Sequence, residues 1–125
     1  MTDFTVFSAW LDTALSAEPL SEEIVAFNFN LYESSEDAEP PLFEVQLIGA
    51  PSYDAEDSDW ACEEIFSTGE NLFTFSADDW EACLADVIEL AEQYLAAGQY
   101  ADLFRSKKAL TVGFVDGDLE VVFEQ

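Results

Sequence analysis

The chain has 125 residues, and its 28 Asp and Glu against three Lys and Arg give a formal net charge of −25. Hydrophobic residues make up 50% of it and eleven residues are Phe, which excludes a disordered acidic tail and fits one folded domain over residues 1–125 with an anionic surface. The chain has no His, the commonest general base and metal ligand, and its charge repels nucleic acids and acidic membranes but attracts basic proteins.

The first part of the chain predicts a helix followed by two paired strands. Apolar residues recur at helical spacing in residues 4–16, which predicts an amphipathic helix. Residues 21–33 alternate between apolar and polar side chains, as in a half-buried strand, with Asn28 on the polar side. A second alternating strand spans residues 42–48, and the short connection between the two strands favours an antiparallel pair. Residues 59–67 are compatible with either a strand or a short helix.

A short strand at residues 71–75 precedes the longest predicted helix, which spans residues 77–97. Ser76 is a favourable N-cap residue for this helix. An apolar stripe starts at Trp80 and recurs at helical spacing along the helix, and Gly98 is the predicted C-cap. A short helix is expected shortly afterwards.

The C-terminal segment predicts a β-hairpin and completes the fold. The sequence KALTVGFV is followed by Asp116-Gly117 and then DLEVVFE, and an Asp-Gly pair is typical of a type I′ turn. The order of elements predicts an α+β domain. In it, a mainly antiparallel sheet of four to five strands packs against the N-terminal helix and the long central helix.

The densest run of carboxylates lies between residues 53 and 64. Its spacing resembles the start of a calcium-binding loop, but the positions that need Gly and Glu hold other residues, so a metal site is not favoured. We interpret the run as a contact surface for a partner, with Trp60, Tyr53 and Phe66 as candidate aromatic anchors. Trp10, Trp60 and Trp80 are most simply core or rim residues, and the charged neighbours of Trp60 favour a binding surface as the alternative for that residue. The predicted partner-binding residues are Tyr53, Asp54, Glu56, Asp57, Asp59, Trp60, Glu63 and Glu64.

The sequence predicts no catalytic residue, no metal and no cofactor, so we do not expect an enzyme. Cys62 and Cys83 have no His to activate them, and the negative charge around them raises a thiol pKa. We interpret both as reduced core thiols. The basic residues Arg105, Lys107 and Lys108 are interpreted as local cations near a helix C-terminus, paired with nearby carboxylates.

The termini and hydropathy predict a cytoplasmic protein. The N-terminal residues do not have the pattern of an export signal. No window approaches the ~20 apolar residues of a membrane span. We therefore expect no membrane partner, and a monomer is favoured over an oligomer.

Two segments, DSDWACEEIF at 57–66 and VGFVDGDLEVVF at 112–123, resemble small bacterial immunity proteins of polymorphic-toxin and contact-dependent growth inhibition systems. The resemblance implies that the chain binds and neutralises a cognate toxin, and it identifies no catalytic residue. The charge leads to the same function independently. A nuclease toxin binds polyanions through a basic cleft, and an acidic domain can block that cleft by matching its potential.

Two other hypotheses fit the charge. A DNA mimic would present carboxylates in place of phosphates and occupy a nucleic-acid-binding protein. An ordinary protein from a high-salt cytoplasm would be acidic for solubility alone and would have an unrelated function. The heavy use of Phe counts mildly against the second alternative, because salt already strengthens apolar burial.

Overall fold

The fold is a mixed sheet with helices against one face, seen in a computed structural model. It describes residues 4–17, 22–35, 41–54, 56–57, 60–61, 63–68, 72–114 and 119–125. Within these ranges the elements are α1 (Phe4–Ser16), β1 (Ala26–Ser35), β2 (Leu42–Ala50), β3 (Phe66–Ser67), β4 (Phe73–Ser76), α2 (Trp80–Ala97), α3 (Ala101–Arg105), β5 (Ala109–Phe114) and β6 (Glu120–Glu124).

The sheet is organised around the long antiparallel pair β1–β2. Its strand order is β3-β2-β1-β5-β6, and β4 also pairs with β2. β3 and β4 lie along different parts of the same edge of β2, since Ile48 is paired with Ser67 and Val45 with Phe73. On the other side of β1, β5 runs parallel to it and forms an antiparallel pair with β6.

The predicted α+β class is confirmed, with its N-terminal helix, long central helix and C-terminal strand pair. The sheet has six strands, not the four to five expected. The expected short strand before α2 is β4, while the extra strand, β3, has only two residues and falls in the segment that was ambiguous from sequence. One pairing, β1–β5, is parallel, and the helices between these strands supply the long crossover that a parallel pair requires. The predicted Asp116-Gly117 turn lies outside the described residues.

The core lies between the helices and one face of the sheet, which bears the odd-numbered side chains of β1, β2 and β4 together with Leu110 and Val112 of β5. Phe29 is typical of these residues: it is paired with Leu47 on β2 and Val112 on β5, and its ring contacts Phe7 of α1 at a centroid distance of 5.8 Å. Each fully buried Phe or Leu stabilises the fold by roughly 1.5–3 kcal/mol relative to an exposed one. The face of the sheet that bears these residues is here called the helix face, and the opposite one the second face.

The start of α2 differs from the sequence prediction. Ser76 is the last residue of β4, and the sheet pairing continues past it, because Ala77 donates its N–H to the carbonyl of Pro41 at 3.2 Å. The N-cap is Asp79, whose Oδ1 accepts a hydrogen bond from the backbone N–H of Ala82 at 2.8 Å. The helix therefore begins at Trp80, later than the propensity of Ser76 indicated.

Candidate partner-binding surface

The predicted contact residues that the structure describes fall in one loop on the second face of the sheet. We call it the acidic loop and define it as the described residues between β2 and β3, which are 51–54, 56–57, 60–61 and 63–65. Its first part is a tight turn: Asp54 Oδ1 accepts from the N–H of Glu56 at 2.9 Å, and the N–H of Asp57 donates to the Asp54 carbonyl at 3.3 Å. All three side chains are exposed, so the turn presents three carboxylates to solvent.

Tyr53 ties the acidic loop to the last strand. Its hydroxyl donates to Glu124 Oε2 on β6 at 2.5 Å, and its ring lies edge-to-face against Trp60 at 5.2 Å between centroids. Burial raises the pKa of Tyr53 to about 12, and the hydrogen bond to Glu124 and the negative charges of Glu124 and Asp54 act in the same direction. The phenol therefore stays protonated at neutral pH and keeps donating this hydrogen bond.

Trp60 is the residue that fixes the acidic loop to the sheet. It is only 6% exposed and packs in a small cluster with Ala26, Ala50 and Ala109. These alanines lie on β1, β2 and β5 respectively and are register partners, with Ala26 paired with both of the others. Three adjacent small side chains therefore leave a recess for the indole. This burial agrees with the simpler interpretation of Trp60 as a core or rim residue. A role of Trp60 as a partner anchor stays a prediction.

The end of the acidic loop adds two more exposed carboxylates. The N–H of Glu63 donates to the carbonyl of Trp60 at 3.3 Å, and the side chains of Glu63 and Glu64 are both exposed. Burial raises the pKa of Tyr32 on β1, and the charge of Glu64 raises it further, which places Glu64 near this part of the sheet. Asp59, the remaining predicted contact residue, lies outside the described residues.

A hydrogen-bonded polar chain crosses the second face beside the acidic loop. Thr111 Oγ1 donates to Asn28 Oδ1 at 2.8 Å, Asn28 Nδ2 donates to Asn30 Oδ1 at 2.6 Å, and both Asn30 Nδ2 and the Tyr32 hydroxyl donate to Gln46 Oε1. Asn28 is on the polar side of β1 as predicted, yet it is 0% exposed. Its satisfied hydrogen bonds make burial tolerable and give the chain a structural role in aligning three strands.

The basic residue Arg105 is engaged at a helix end, as its position in the sequence predicted, but its described partner is a backbone carbonyl and not the expected carboxylate. Its Nε and Nη2 donate to the carbonyl of Leu95 at 3.0 and 2.6 Å, in the last turn of α2. A guanidinium there satisfies a carbonyl that the helix leaves without a partner and favours the negative end of the helix dipole. This cation is therefore committed to the fold.

Trp80 is an exposed aromatic side chain that is not among the predicted partner-binding residues. Trp80 has the helical spacing of the buried stripe, but it is 55% exposed because it stands in the first turn of α2 and meets only the end of the sheet. Its ring lies edge-to-face on Phe114, the last residue of β5, at 6.3 Å. Asp78, Asp79 and Glu81 beside it are exposed. The four residues and Phe114 are here called the Trp80 surface. The acidic neighbours in the sequence were the available signal.

Cys83 is a core thiol with no nucleophilic character. It is fully buried, and burial, with a smaller contribution from Asp86, raises its pKa to about 12. We predict that iodoacetamide at pH 8 does not alkylate Cys83 in the native protein and alkylates it readily in urea. Peptide mass spectrometry reads out each cysteine separately. Fast labelling of Cys83 in the native state would show that the helix opens far more often than its packing indicates. Cys62 lies outside the described residues.

Comparisons with protein-family models, curated proteins and solved structures find no match to this chain. Among the helices of the described ranges, none has the length and apolar character needed to cross a bilayer. The described Cys, Asp and Glu side chains form no group of three or more that could hold a metal ion. The fold and its surface define a strongly acidic α+β domain with a carboxylate-bearing loop fixed to its sheet.

Proposed function

We propose that this protein is a cytoplasmic immunity protein, which binds a cognate basic toxin, a nuclease, and neutralises it. The observation that carries the proposal is the construction of the acidic loop. Its aromatic residue Trp60 points into the sheet, while its carboxylates face solvent. Such a loop presents a fixed array of negative charge, which suits a basic cleft.

The electrostatics favour fast association with a basic protein. Complementary potentials raise association rate constants from roughly 10⁵–10⁶ to as much as 10⁸–10⁹ M⁻¹s⁻¹ at low salt. The tie from Tyr53 to Glu124 and the packing of Trp60 hold the loop in place before binding. A partner then meets a preorganised surface, which lowers the conformational entropy lost on association.

The inhibition proposed here is steric and electrostatic, with no reaction on this chain. The toxin's cleft must bind the phosphates of its nucleic-acid substrate, and carboxylates in that cleft occupy the same positive potential. The protein would act as a monomer in a one-to-one complex, in the compartment where the toxin meets its substrate.

Affinity capture from the lysate of the source organism tests the proposal. The tagged protein is eluted in rising salt, and the bound proteins are identified by mass spectrometry and assayed for nuclease activity. One dominant basic partner, retained past moderate salt and inactive as a nuclease in the complex, supports the proposal. A set of unrelated DNA-binding proteins that duplex DNA displaces contradicts it and indicates a DNA mimic.

Charge reversal in the acidic loop is predicted to slow association with the captured partner. The double variant Glu56→Lys/Glu63→Lys changes two exposed carboxylates in residues that enter the hydrogen bonds of the loop through their backbone N–H groups. We expect about a tenfold lower association rate constant at 50 mM salt, and a smaller difference at 300 mM because salt screens exposed charges. Stopped-flow fluorescence measures both rates.

The matched control is Glu89→Lys/Glu92→Lys on the exposed side of α2. Each reversal adds two charge units, so both double variants change the formal net charge from −25 to −21. Equal slowing by the two variants would show that only the overall charge steers association and that the acidic loop is not the contact.

A further inference from the structure

Trp80 is the most unusual apolar side chain on the described surface of the molecule. Its indole is 55% exposed although it continues the helical spacing of Cys83 and Val87, which are fully buried. The first turn of α2 lies at the end of β5, where the ring of Phe114 packs nearly perpendicular to the indole at 6.3 Å between centroids. Exposed Trp side chains that are held by packing on one side are typical of the anchors of protein interfaces.

The charges around Trp80 determine what can cover it. Asp78, Asp79 and Glu81 are all exposed. The partial positive charge at the N-terminus of α2 offsets only about half of one of these three negative charges. A second copy of this chain would bring the same carboxylates together across a symmetric contact. An anionic or purely apolar partner would leave them desolvated without counter-charges.

We infer that the Trp80 surface takes an arginine side chain of a basic protein partner. The guanidinium stacks on the free face of the indole and pairs with the carboxylate of Asp78 or Glu81. Arginine is favoured over lysine because its planar, weakly hydrated group can stack and pair at the same time. Asp79 is already engaged as the N-cap of α2, so its carboxylate mainly holds the surface in place.

This surface is distinct from the acidic loop. The loop packs on the second face at Ala109, the first residue of β5, whereas Trp80 meets Phe114 at the other end of that strand. The inference rests on the proposed function for one premise, which is that the partner is a basic protein. It adds a contact residue and its chemistry, which charge alone does not specify.

A peptide titration tests the inference without the natural partner. The probes are acetyl-(Gly-Arg)₄-amide and acetyl-(Gly-Lys)₄-amide, which carry equal charge, and the readout is the indole N–H resonances of the ¹⁵N-labelled protein. The Trp80 resonance is assigned with Trp80→Phe. We expect the arginine peptide to shift this resonance and to bind about threefold more tightly than the lysine peptide. In Trp80→Ala the two peptides should bind alike.

Paired charge variants supply the control. Asp78→Asn/Glu81→Gln beside Trp80 and Glu89→Gln/Glu92→Gln on the exposed side of α2 each remove two negative charges, and we expect only the first to abolish the arginine preference. An unchanged preference in Trp80→Ala, equal effects of the two double variants, or a dimer that Trp80→Ala dissociates would each overturn the inference. An arginine preference that depends on Trp80, in a protein whose captured basic partner is not a nuclease, would leave the inference standing and contradict the proposed function.

Discussion

Replacing Trp60 by Ala is expected to destabilise the fold by about 3–5 kcal/mol, the range for removing a large aromatic side chain from a packed site. The same replacement at Trp80 is expected to cost about 1 kcal/mol, the worth of one aromatic contact at an exposed position. The difference follows from exposures of 6% and 55%. It also follows from the packing of the indole on three alanines of β1, β2 and β5, whose small side chains leave a cavity when the indole is removed.

Urea unfolding monitored by far-UV circular dichroism compares the two variants without relying on tryptophan fluorescence. Amide exchange at Ile65 gives a local readout. Ile65 is the last residue of the acidic loop, and its N–H donates to the carbonyl of Gly49 on β2 at 2.9 Å. We expect exchange at Ile65 to accelerate in Trp60→Ala and to remain unchanged in Trp80→Ala. Similar losses of stability in both variants would contradict the assignment of Trp60 to packing and Trp80 to the surface.

The two tryptophans show where sequence patterns stop being sufficient. Helical spacing correctly gave the face of α2 on which Trp80 lies, but spacing does not report where the sheet beneath a helix ends. The charged neighbours of Trp60 indicated a surface position. Its burial depends on alanines at 26, 50 and 109, which are far apart in sequence and adjacent only through strand register.

The elements were predictable to the extent that their signals are local. The helix at 4–16, the alternation of β2 and the short helix after Gly98 all appear where periodicity placed them. The parallel partner of β1 was not predictable, because the choice between neighbours depends on how the chain returns after α2 and α3. The buried Asn28 has the same origin: its partner Thr111 is 83 positions away.

The candidate site was predictable in its charges and not in its geometry. The carboxylates at 54, 56, 57, 63 and 64 are exposed, as a run of acidic residues indicates. The sequence did not reveal that Tyr53 donates to Glu124 across the sheet, or that Glu64 lies near Tyr32. Both follow from the packing of the acidic loop on the second face, to which Trp60 and Tyr53 fix it.

Gly98 illustrates a correct prediction with a different physical cause. It is the C-cap of α2, but its φ of −72° and ψ of 155° are open to any residue, so left-handed backbone does not explain the glycine. A Cβ at this position would lie 2.5 Å from Cδ1 of Tyr94. The ring of Tyr94 occupies the space that any larger residue needs.

Tyr94 cannot easily give way. Its side chain is 1% exposed and its ring lies edge-to-face on Phe104 at 5.8 Å. Its hydroxyl donates to Asp12 Oδ1 at 2.6 Å and accepts from the N–H of Tyr100 at 3.1 Å, so it connects α1, α2 and the start of α3. Burial and the hydrogen bond to Asp12 raise the pKa of Tyr94, which keeps the phenol protonated and donating at neutral pH.

Gly98→Ala is therefore expected to destabilise the protein by about 3 kcal/mol, through overpacking against a ring that is held at both ends. Urea unfolding of Gly98→Ala, Tyr94→Leu and the double variant measures the coupling between the two positions. If the clash is the cause, the cost of Gly98→Ala falls to well under half in the Tyr94→Leu background, where the ring is gone. If the free-energy costs of the two single variants simply add in the double variant, the cost belongs to the helix end itself and not to the clash. The control is Gln99→Ala at the neighbouring exposed position, which should leave stability nearly unaltered in either case.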